Sequence, residues 1–410
     1  MKLCVFGMGY IGLPTAAMFA NRGFDVLGLD VDPDRITAIK NGSFNINEPG
    51  LKAFLRDSLN TGNLRVSNEP EPRDVYIICV PTPLTVDRRP DISSVESAGR
   101  EISRVLGKGE MVILESTVPP GTTENTLKPI LEASGLEAGK DFSLCYCPER
   151  VMPGNILKEL TENHRIIGGM DPRGTARAKE LYGSFVEGNI YTTDTTTAEF
   201  TKLAENTYRD VNIALANEFA KLCELHGTDV WKMRELANNH PRVDILKPGP
   251  GVGGHCLPVD PWFLVNGDSG LISKSREIND GMVRHVEGLI RQYTPDGGTV
   301  VLLGTAYKAN TEDERCSPTL DLLGSLGDFK VRLHDPWVDG REGDLYQLLK
   351  GAHTLVLMVD HGVYRSLLSP QIALEAMAGN TVIDTRNFFD RHLWEAVGWE
   401  YVLLGVNDKI

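Results

Sequence analysis

One short segment limits the fold of this chain more than any other: Gly7-Met-Gly9-Tyr-Ile-Gly12. It follows an apolar run, Lys2–Phe6, that reads as a buried strand. It opens a stretch, Ile11–Asn21, with the character of a helix. A strand that turns through three glycines into a helix is the opening of a parallel α/β sheet. The glycines permit a tight turn and let a pyrophosphate approach the helix N-terminus. Asp25–Leu29 reads as the second strand, and Asp30 closes it. A carboxylate there suits a ribose 2′-hydroxyl and repels a 2′-phosphate, which favours NAD over NADP. Arg35 stands nearby and weakens that preference, because an arginine accommodates phosphate. The cofactor loop is thus Gly7, Gly9, Tyr10, Ile11 and Gly12, with Asp30 and Arg35 behind it.

Further strands are expected at Val75–Val80 and Met111–Glu115, so the first lobe is a sheet with helices on both faces. From Thr195 to His226 the apolar residues fall at helical spacing over more than one stripe. That predicts one long helix buried against something large. A second helix is expected at 229–238. Strands recur at Thr299–Leu303, Val331–His334, Thr354–Val359 and Thr381–Ile383, without a second glycine fingerprint. The expected architecture is α/β: two Rossmann-like, doubly wound lobes joined by a long central helix and a helical middle. The expected boundaries are 1–194, 195–295 and 296–410. The cleft between lobes is the default place for chemistry.

A chain of 410 residues with 41% hydrophobic and 24% charged residues fits a globular enzyme of two or three domains. Net charge is −14, a poor basis for binding nucleic acid or an anionic membrane. No apolar run is long enough to span a bilayer, and the N-terminus runs directly into the glycine turn, so a cytoplasmic location is expected. Seven cysteines argue against a disulfide framework. Cys4 and Cys79 read as packing residues. Cys145 and Cys147 have no second pair or histidine set to complete a zinc site, so no metal is expected.

Cys256 is different. It sits in Gly251-Val-Gly-Gly-His-Cys-Leu-Pro-Val-Asp260, four residues before a carboxylate. So bare a loop lets a substrate reach the sulfur, and a thiolate there is a strong nucleophile. The alternative is an inert thiol in a structural loop. The adjacent His255 reads more readily as a shape or hydrogen-bonding residue than as the base for Cys256. Lys202 and Asn206 lie one helical turn apart on the long helix and interrupt its apolar surface. Two readings stand for them: a solvated edge, or a buried lysine that donates to a developing oxyanion and exchanges a proton. Glu115-Ser-Thr-Val-Pro-Pro-Gly-Thr-Thr123 and Cys147-Pro-Glu149-Arg-Val-Met-Pro-Gly154 follow strands, where ligands bind in open α/β sheets. His240, Arg242, Lys247, Tyr307, Lys308, Arg315, Arg386 and Asn387 bring polar or positive groups to an acidic chain. Singly the charged ones are surface residues; together they suit a diphosphate.

The sequence order Gly-x-Gly-Tyr-Ile-Gly-Leu-Pro, Glu-Ser-Thr-Val-Pro-Pro-Gly-Thr, Cys-Pro-Glu-Arg, Lys-x-x-x-Asn, Gly-Gly-His-Cys and Ala-Tyr-Lys-x-Asn-Thr-x-Asp-x-Arg resembles the UDP-glucose/GDP-mannose dehydrogenase family over nearly the whole chain. The resemblance implies NAD-dependent oxidation of a sugar 6-hydroxyl to a carboxylate in two hydride transfers. It also implies a homodimer formed on the central helix. The loops Gly9–Ala17 and Val252–Phe263 look most like the branch acting on UDP-N-acetyl-D-mannosamine. UDP-N-acetylglucosamine and UDP-glucose are the alternatives, and the product would serve polysaccharide synthesis. Carried over, the resemblance makes Cys256 the nucleophile and Lys202 the proton donor and acceptor. Asp260, Asn206 and Thr117 would position the attacking water, and Glu149 would assist acyl transfer or hydrolysis. Thr82, Thr117 and Arg315 would join the NAD site. Arg150, Val151, Lys202, Asn206, Arg209, His240, Arg242, Lys247, Gly253, Tyr307, Lys308, Arg386 and Asn387 would line the nucleotide-sugar site, with Arg242 reaching across the dimer to share it. Two other classes remain open: a single-oxidation alcohol dehydrogenase, which has no use for Cys256, and a nucleotide-sugar sensor without chemistry.

Overall fold

The computed structural model describes residues 1–44, 46, 48–152, 154–265 and 270–407. Pro153, in the second polar loop singled out above, lies outside the described residues. Two compact units divide the chain, Met1–Glu205 and Asn206–Ile410.

The first unit is built on eight strands: β1 (Lys2–Phe6), β2 (Asp25–Leu29), β3 (Leu64–Ser67), β4 (Val75–Ile78), β5 (Met111–Leu114), β6 (Ser143–Tyr146), β7 (Arg165–Gly169) and β8 (Ile190–Thr193). They lie in the order β3-β2-β1-β4-β5-β6-β7-β8. Strands β4 and β5, Val-Tyr-Ile-Ile and Met-Val-Ile-Leu, are buried at every residue. Apolar runs without alternation are what a parallel sheet covered on both faces requires. One face packs Leu3, Val5, Ile77 and Ile113 against the first helix, Gly12–Asn21. The other packs Phe6, Ile78 and Leu114 against the helix Ser93–Ser103. The strand order reverses direction between β1 and β4, which opens the crevice where an open α/β sheet binds its ligand.

One pairing departs from a wholly parallel sheet. Strands β6 and β7 run antiparallel, with Cys145 opposite Gly169 and Tyr146 opposite Gly168. Glycine is required there. A Cβ on Gly168 would meet Thr195 Cα at 2.7 Å, and one on Gly169 would overlap the Thr175 side chain.

The second unit carries β9 (Thr299–Leu303), β10 (Lys330–His334), β11 (Thr354–Leu357), β12 (Thr381–Asp384) and β13 (Glu400–Leu403), all parallel, in the order β10-β9-β11-β12-β13. The helix Leu271–Tyr293 lays Met282, Val286 and Ile290 on the face of this sheet formed by Val300, Leu302 and Val356. The long helix is continuous from Thr195 to Leu225. It leaves Phe200, Tyr208, Leu215, Leu222 and Leu225 exposed, at spacings that place most of them on one stripe. No helix of the described residues is long and apolar enough to cross a membrane.

Candidate active site

In the first unit the glycine loop has the shape a dinucleotide needs. Gly7 turns with φ +89°, and a Cβ there would meet the Cys79 carbonyl oxygen at 2.6 Å. A Cβ on Gly12 would overlap the Gly7 carbonyl. Gly9 has open space where its Cβ would stand, so its backbone faces a vacant approach. The helix beginning at Gly12 has no side-chain cap, and the Leu13 amide is satisfied by the Gly9 carbonyl at 3.2 Å. Asp30 is 5% exposed, held by the Met8 amide at 2.8 Å and the Asp32 amide at 3.0 Å. Arg35 sits on the same carboxylate at 3.0 Å, so its charge is spent on Asp30 rather than offered separately to a phosphate. Tyr10 reaches Glu48 at 3.3 Å, and Glu48 also accepts from the amides of Gly154 and Ile156 at 2.8 and 2.6 Å. The glycine loop and the second polar loop therefore share one buried carboxylate.

Thr82 donates to the Thr117 carbonyl at 2.7 Å, joining the loops that follow β4 and β5. The Thr117 loop is held from below by Glu199 of the long helix. That carboxylate, with no exposed surface, accepts from the amides of Gly121 and Thr123 and from the Thr123 hydroxyl at 2.5, 2.8 and 2.6 Å. Burial pushes its pKa up, and these three donors oppose the rise. Lys202 and Asn206 are both buried, at 8% and 9% exposure, which decides against a solvated edge of the helix. Glu149 is tied to Arg165 at 2.9 Å, and Arg150 to Glu205 at 2.5 Å. Val151 packs against the core beneath.

Cys79 packs against the core as expected. Its thiol also donates to Glu115 at 3.0 Å, and burial beside that carboxylate pushes its pKa well above the usual range. Burial likewise pushes Cys4 and Cys147 up to about 12. Among the described residues, no group of three or more His, Cys, Asp or Glu is arranged to hold a metal ion.

In the second unit the cysteine loop is fixed from three sides. The Asp260 amide donates to the Cys256 carbonyl at 2.8 Å, a helical turn that sets the four-residue spacing. Asp260 opens the short helix to Leu264, is 4% exposed, and accepts from Asn206 at 2.6 Å. Gly253 and Gly254 lie against Tyr307, where a Cβ on either would come within 2.9 Å. His255 points away from a base role. Its Nε2 meets Asp313 at 2.9 Å, and Asp313 also accepts from Arg315 Nε at 2.9 Å and Nη2 at 2.7 Å. Burial works against the Asp313 charge, but these donors hold its pKa well below the usual carboxylate range. Asp313 thereby joins the cysteine loop to the motif carrying Tyr307 and Arg315. Burial and the Asp313 charge push the Tyr307 hydroxyl pKa up, while Arg209 works in the opposite direction. Lys308 stands 5.9 Å from the Tyr307 ring. With those contacts around it, Cys256 is exposed.

Arg386 leads from β12. Its Nε donates to the Met358 carbonyl at 3.0 Å, and a Cβ on Gly249 would meet its Nη1 at 2.6 Å. Glycine at 249 is what lets the guanidinium lie there. Burial lowers its pKa, and the charges of Asp360 and Asp384 work in the opposite direction. Asn387 beside it is exposed with φ +50°. His240, Arg242 and Lys247 are exposed on the stretch after the helix Val230–Ala237.

Sequence reasoning missed Glu48, Arg165, Glu199 and Asp313. Asp313 lay inside a quoted motif; the other three carry no local signal.

Comparison with known proteins agrees along the whole chain. Residues 1–186 match the NAD binding domain of the UDP-glucose/GDP-mannose dehydrogenase family, 196–280 its central domain and 301–391 its UDP binding domain. The UDP-N-acetyl-D-mannosamine dehydrogenase of Methanococcus aeolicus is 45% identical, covering 98% of this chain and 95% of its own. The NDP-N-acetyl-D-galactosaminuronic acid dehydrogenase of Ralstonia nicotianae is 39% identical, covering 94% and 96%. The solved structure of the UDP-D-ManNAc dehydrogenase of Pyrococcus horikoshii has a TM-score of 0.94 at 42% identity, over 100% of both chains. The chain belongs to the UDP-glucose/GDP-mannose dehydrogenase family and is an NAD-dependent nucleotide-sugar dehydrogenase.

Proposed function

We propose that this enzyme oxidises the 6-hydroxyl of UDP-N-acetyl-D-mannosamine to the carboxylate, with Cys256 holding the sugar covalently between two oxidations. The observation that carries the reading is an exposed cysteine in a glycine loop, anchored four residues on by a buried Asp260–Asn206 pair. A single oxidation to an aldehyde needs no such thiol. The relatives named for UDP-N-acetyl-D-mannosamine support the sugar.

NAD, when bound at the glycine loop of the first unit, accepts a hydride at each oxidation. Gly7, Gly9 and Gly12 leave room for its pyrophosphate, with Asp30, Arg35, Tyr10, Thr82, Thr117 and Arg315 around it. Lys202 takes the proton of the 6-hydroxyl as its carbon becomes a carbonyl. The Cys256 thiolate then adds to the aldehyde carbon, forming a C–S bond. Lys202 and Asn206 donate to the oxygen that gains charge. Loss of the second hydride from that carbon leaves a thioester on Cys256. Water held by Asp260 and Thr117 adds to the thioester carbon, Glu149 assists its loss of a proton, and the C–S bond breaks to return the thiolate. Arg386 supplies a partly buried guanidinium suited to the diphosphate. Arg150, Val151, Arg209, Gly253, Tyr307, Lys308 and Asn387 complete the nucleotide-sugar site. The exposed apolar stripe of the long helix makes the homodimer contact; His240 and Lys247 join the nucleotide-sugar site, and Arg242 reaches across the dimer to share it.

The test is NADH formed per mole of UDP-N-acetylmannosamine, with UDP-N-acetylglucosamine and UDP-glucose alongside. Two NADH on the manno sugar alone is the expected result. Activity on the gluco epimer instead overturns the substrate and keeps the mechanism.

A further inference from the structure

Behind Glu149 lies a buried cluster for which the reaction above has no use. Arg165, on β7, is 5% exposed. Its Nη2 meets Glu149 Oε2 at 2.9 Å and its Nη1 stands 3.5 Å from Glu115 Oε1. The guanidinium lies 4.7 Å from the centre of the Tyr182 ring and 3.8 Å from Cys147 Sγ. Glu115, at 3% exposure, also accepts from the Cys79 thiol and the Tyr182 hydroxyl. Glu149's second oxygen accepts from the Arg150 amide at 2.5 Å. Two carboxylates thus share one cation in a place nearly closed to water. A guanidinium held on its face by an aromatic ring and on its edge by two acids has little freedom to turn. A buried charge stripped of its partner is strongly disfavoured, so Arg165 is bound to stay between them.

We propose that Arg165 is a positioning residue for Glu149: it aims the carboxylate, while Glu115 anchors the arginine from behind. The inference rests on the reading that Glu149 takes part in hydrolysis. Burial pushes the Glu115 carboxyl up while Arg165 pulls it down. Titratable groups facing the pair are Cys79, Cys147 and Tyr182 inside, whose pKa values burial raises out of the acid range. Across the small cleft beside Glu149 stand Glu159 and His164.

The experiment is a single turnover of the full-length enzyme with saturating NAD, in which NADH and released acid are followed separately. Glu149→Gln should form NADH as the wild type does and release acid at least ~100-fold more slowly, the usual loss when a general acid or base is removed. Arg165→Gln should likewise keep NADH formation and slow acid release by about 10-fold or more, and Arg165→Lys should restore part of it. A role confined to holding the fold predicts that NADH formation and acid release fall together. If Arg165→Gln does not fold, as judged by NAD binding, Glu115→Gln, which removes the arginine's rear anchor, should slow acid release alone. Acid release at the wild-type rate in NAD-binding Arg165 and Glu115 variants overturns the positioning role. Acid release at the wild-type rate in Glu149→Gln overturns the role of Glu149 itself, and the positioning role with it.

Discussion

Gly9 and Gly12 are glycines for different reasons, and substituting each should show it. At Gly12 a Cβ would overlap the Gly7 carbonyl oxygen, a backbone atom that cannot swing aside. Gly12→Ala must force the first helix away from β1, at a cost of ~3 kcal/mol, the upper end for overpacked cores. At Gly9 the same Cβ meets nothing within 4 Å, and the backbone is not in the left-handed region. Gly9→Ala should therefore fold as the wild type does, with a urea midpoint shifted by less than the equivalent of ~0.5 kcal/mol. Its methyl group would stand in the space left for the pyrophosphate. Loss of one or two charge-assisted amide contacts, at about 1.5–3 kcal/mol each, weakens NAD binding by roughly 10–20,000-fold. Isothermal titration with NAD, alongside urea unfolding, measures both quantities on the same samples. NAD binding by Gly9→Ala at wild-type affinity would refute the argument, since the open side of the loop would then not face the cofactor.

Three further outcomes are expected. Arg386→Ala should raise KM for the UDP-sugar about 10-fold or more while leaving the NAD dissociation constant unchanged; steady-state kinetics and titration check it, and an unchanged KM removes Arg386 from the diphosphate site. Asp335, which closes β10, is drawn from 3.8 to about 2: burial opposes the charge, but His361 and the amides of Ala306 and Trp337 outweigh it. A carboxyl depressed in the fold stabilises above its unfolded pKa and loses that contribution as pH falls through its folded value, so Asp335 contributes ~2 kcal/mol at pH 7 and about half of that at pH 3. The difference in urea unfolding between wild type and Asp335→Asn should shrink over that interval, and a constant difference would contradict it. Glu placed at both Leu215 and Leu222, exposed on the long helix, should give a folded monomer by sedimentation; a variant that stays dimeric places the contact elsewhere.

Much of the scaffold could be read before any coordinates. Strands Lys2–Phe6, Asp25–Leu29 and Thr299–Leu303 stand where their apolar runs predict them. The strand expected through Val80 ends at Ile78, and the chain then turns so that the Cys79 carbonyl comes under Gly7. The reversal at β7 was not legible, because apolar character fixes a strand but not its direction. Sequence spacing did bring Asn206 and Lys202 to one face of the helix, yet only the fold shows both buried. The residues that hold the loops were the hardest to find. Glu199 accepts from the Thr123 amide 76 positions away, and a carboxylate in a helix gives no sign of such a partner. Cys79 shows the converse: an apolar strand context suggested packing, and a distant carboxylate gave it a hydrogen bond. Local pattern records periodicity and turns; pairings across the sheet are set by topology.

The central claim is that Cys256 carries the sugar between two oxidations. The most direct measurement is to follow NADH and UDP-sugar acid together in a single turnover of wild type and Cys256→Ser, each shown first to bind NAD. The account predicts two NADH and one acid per sugar for the wild type, and no acid for Cys256→Ser. Acid formation by Cys256→Ser at the wild-type rate, or one NADH per sugar in the wild type, would contradict it.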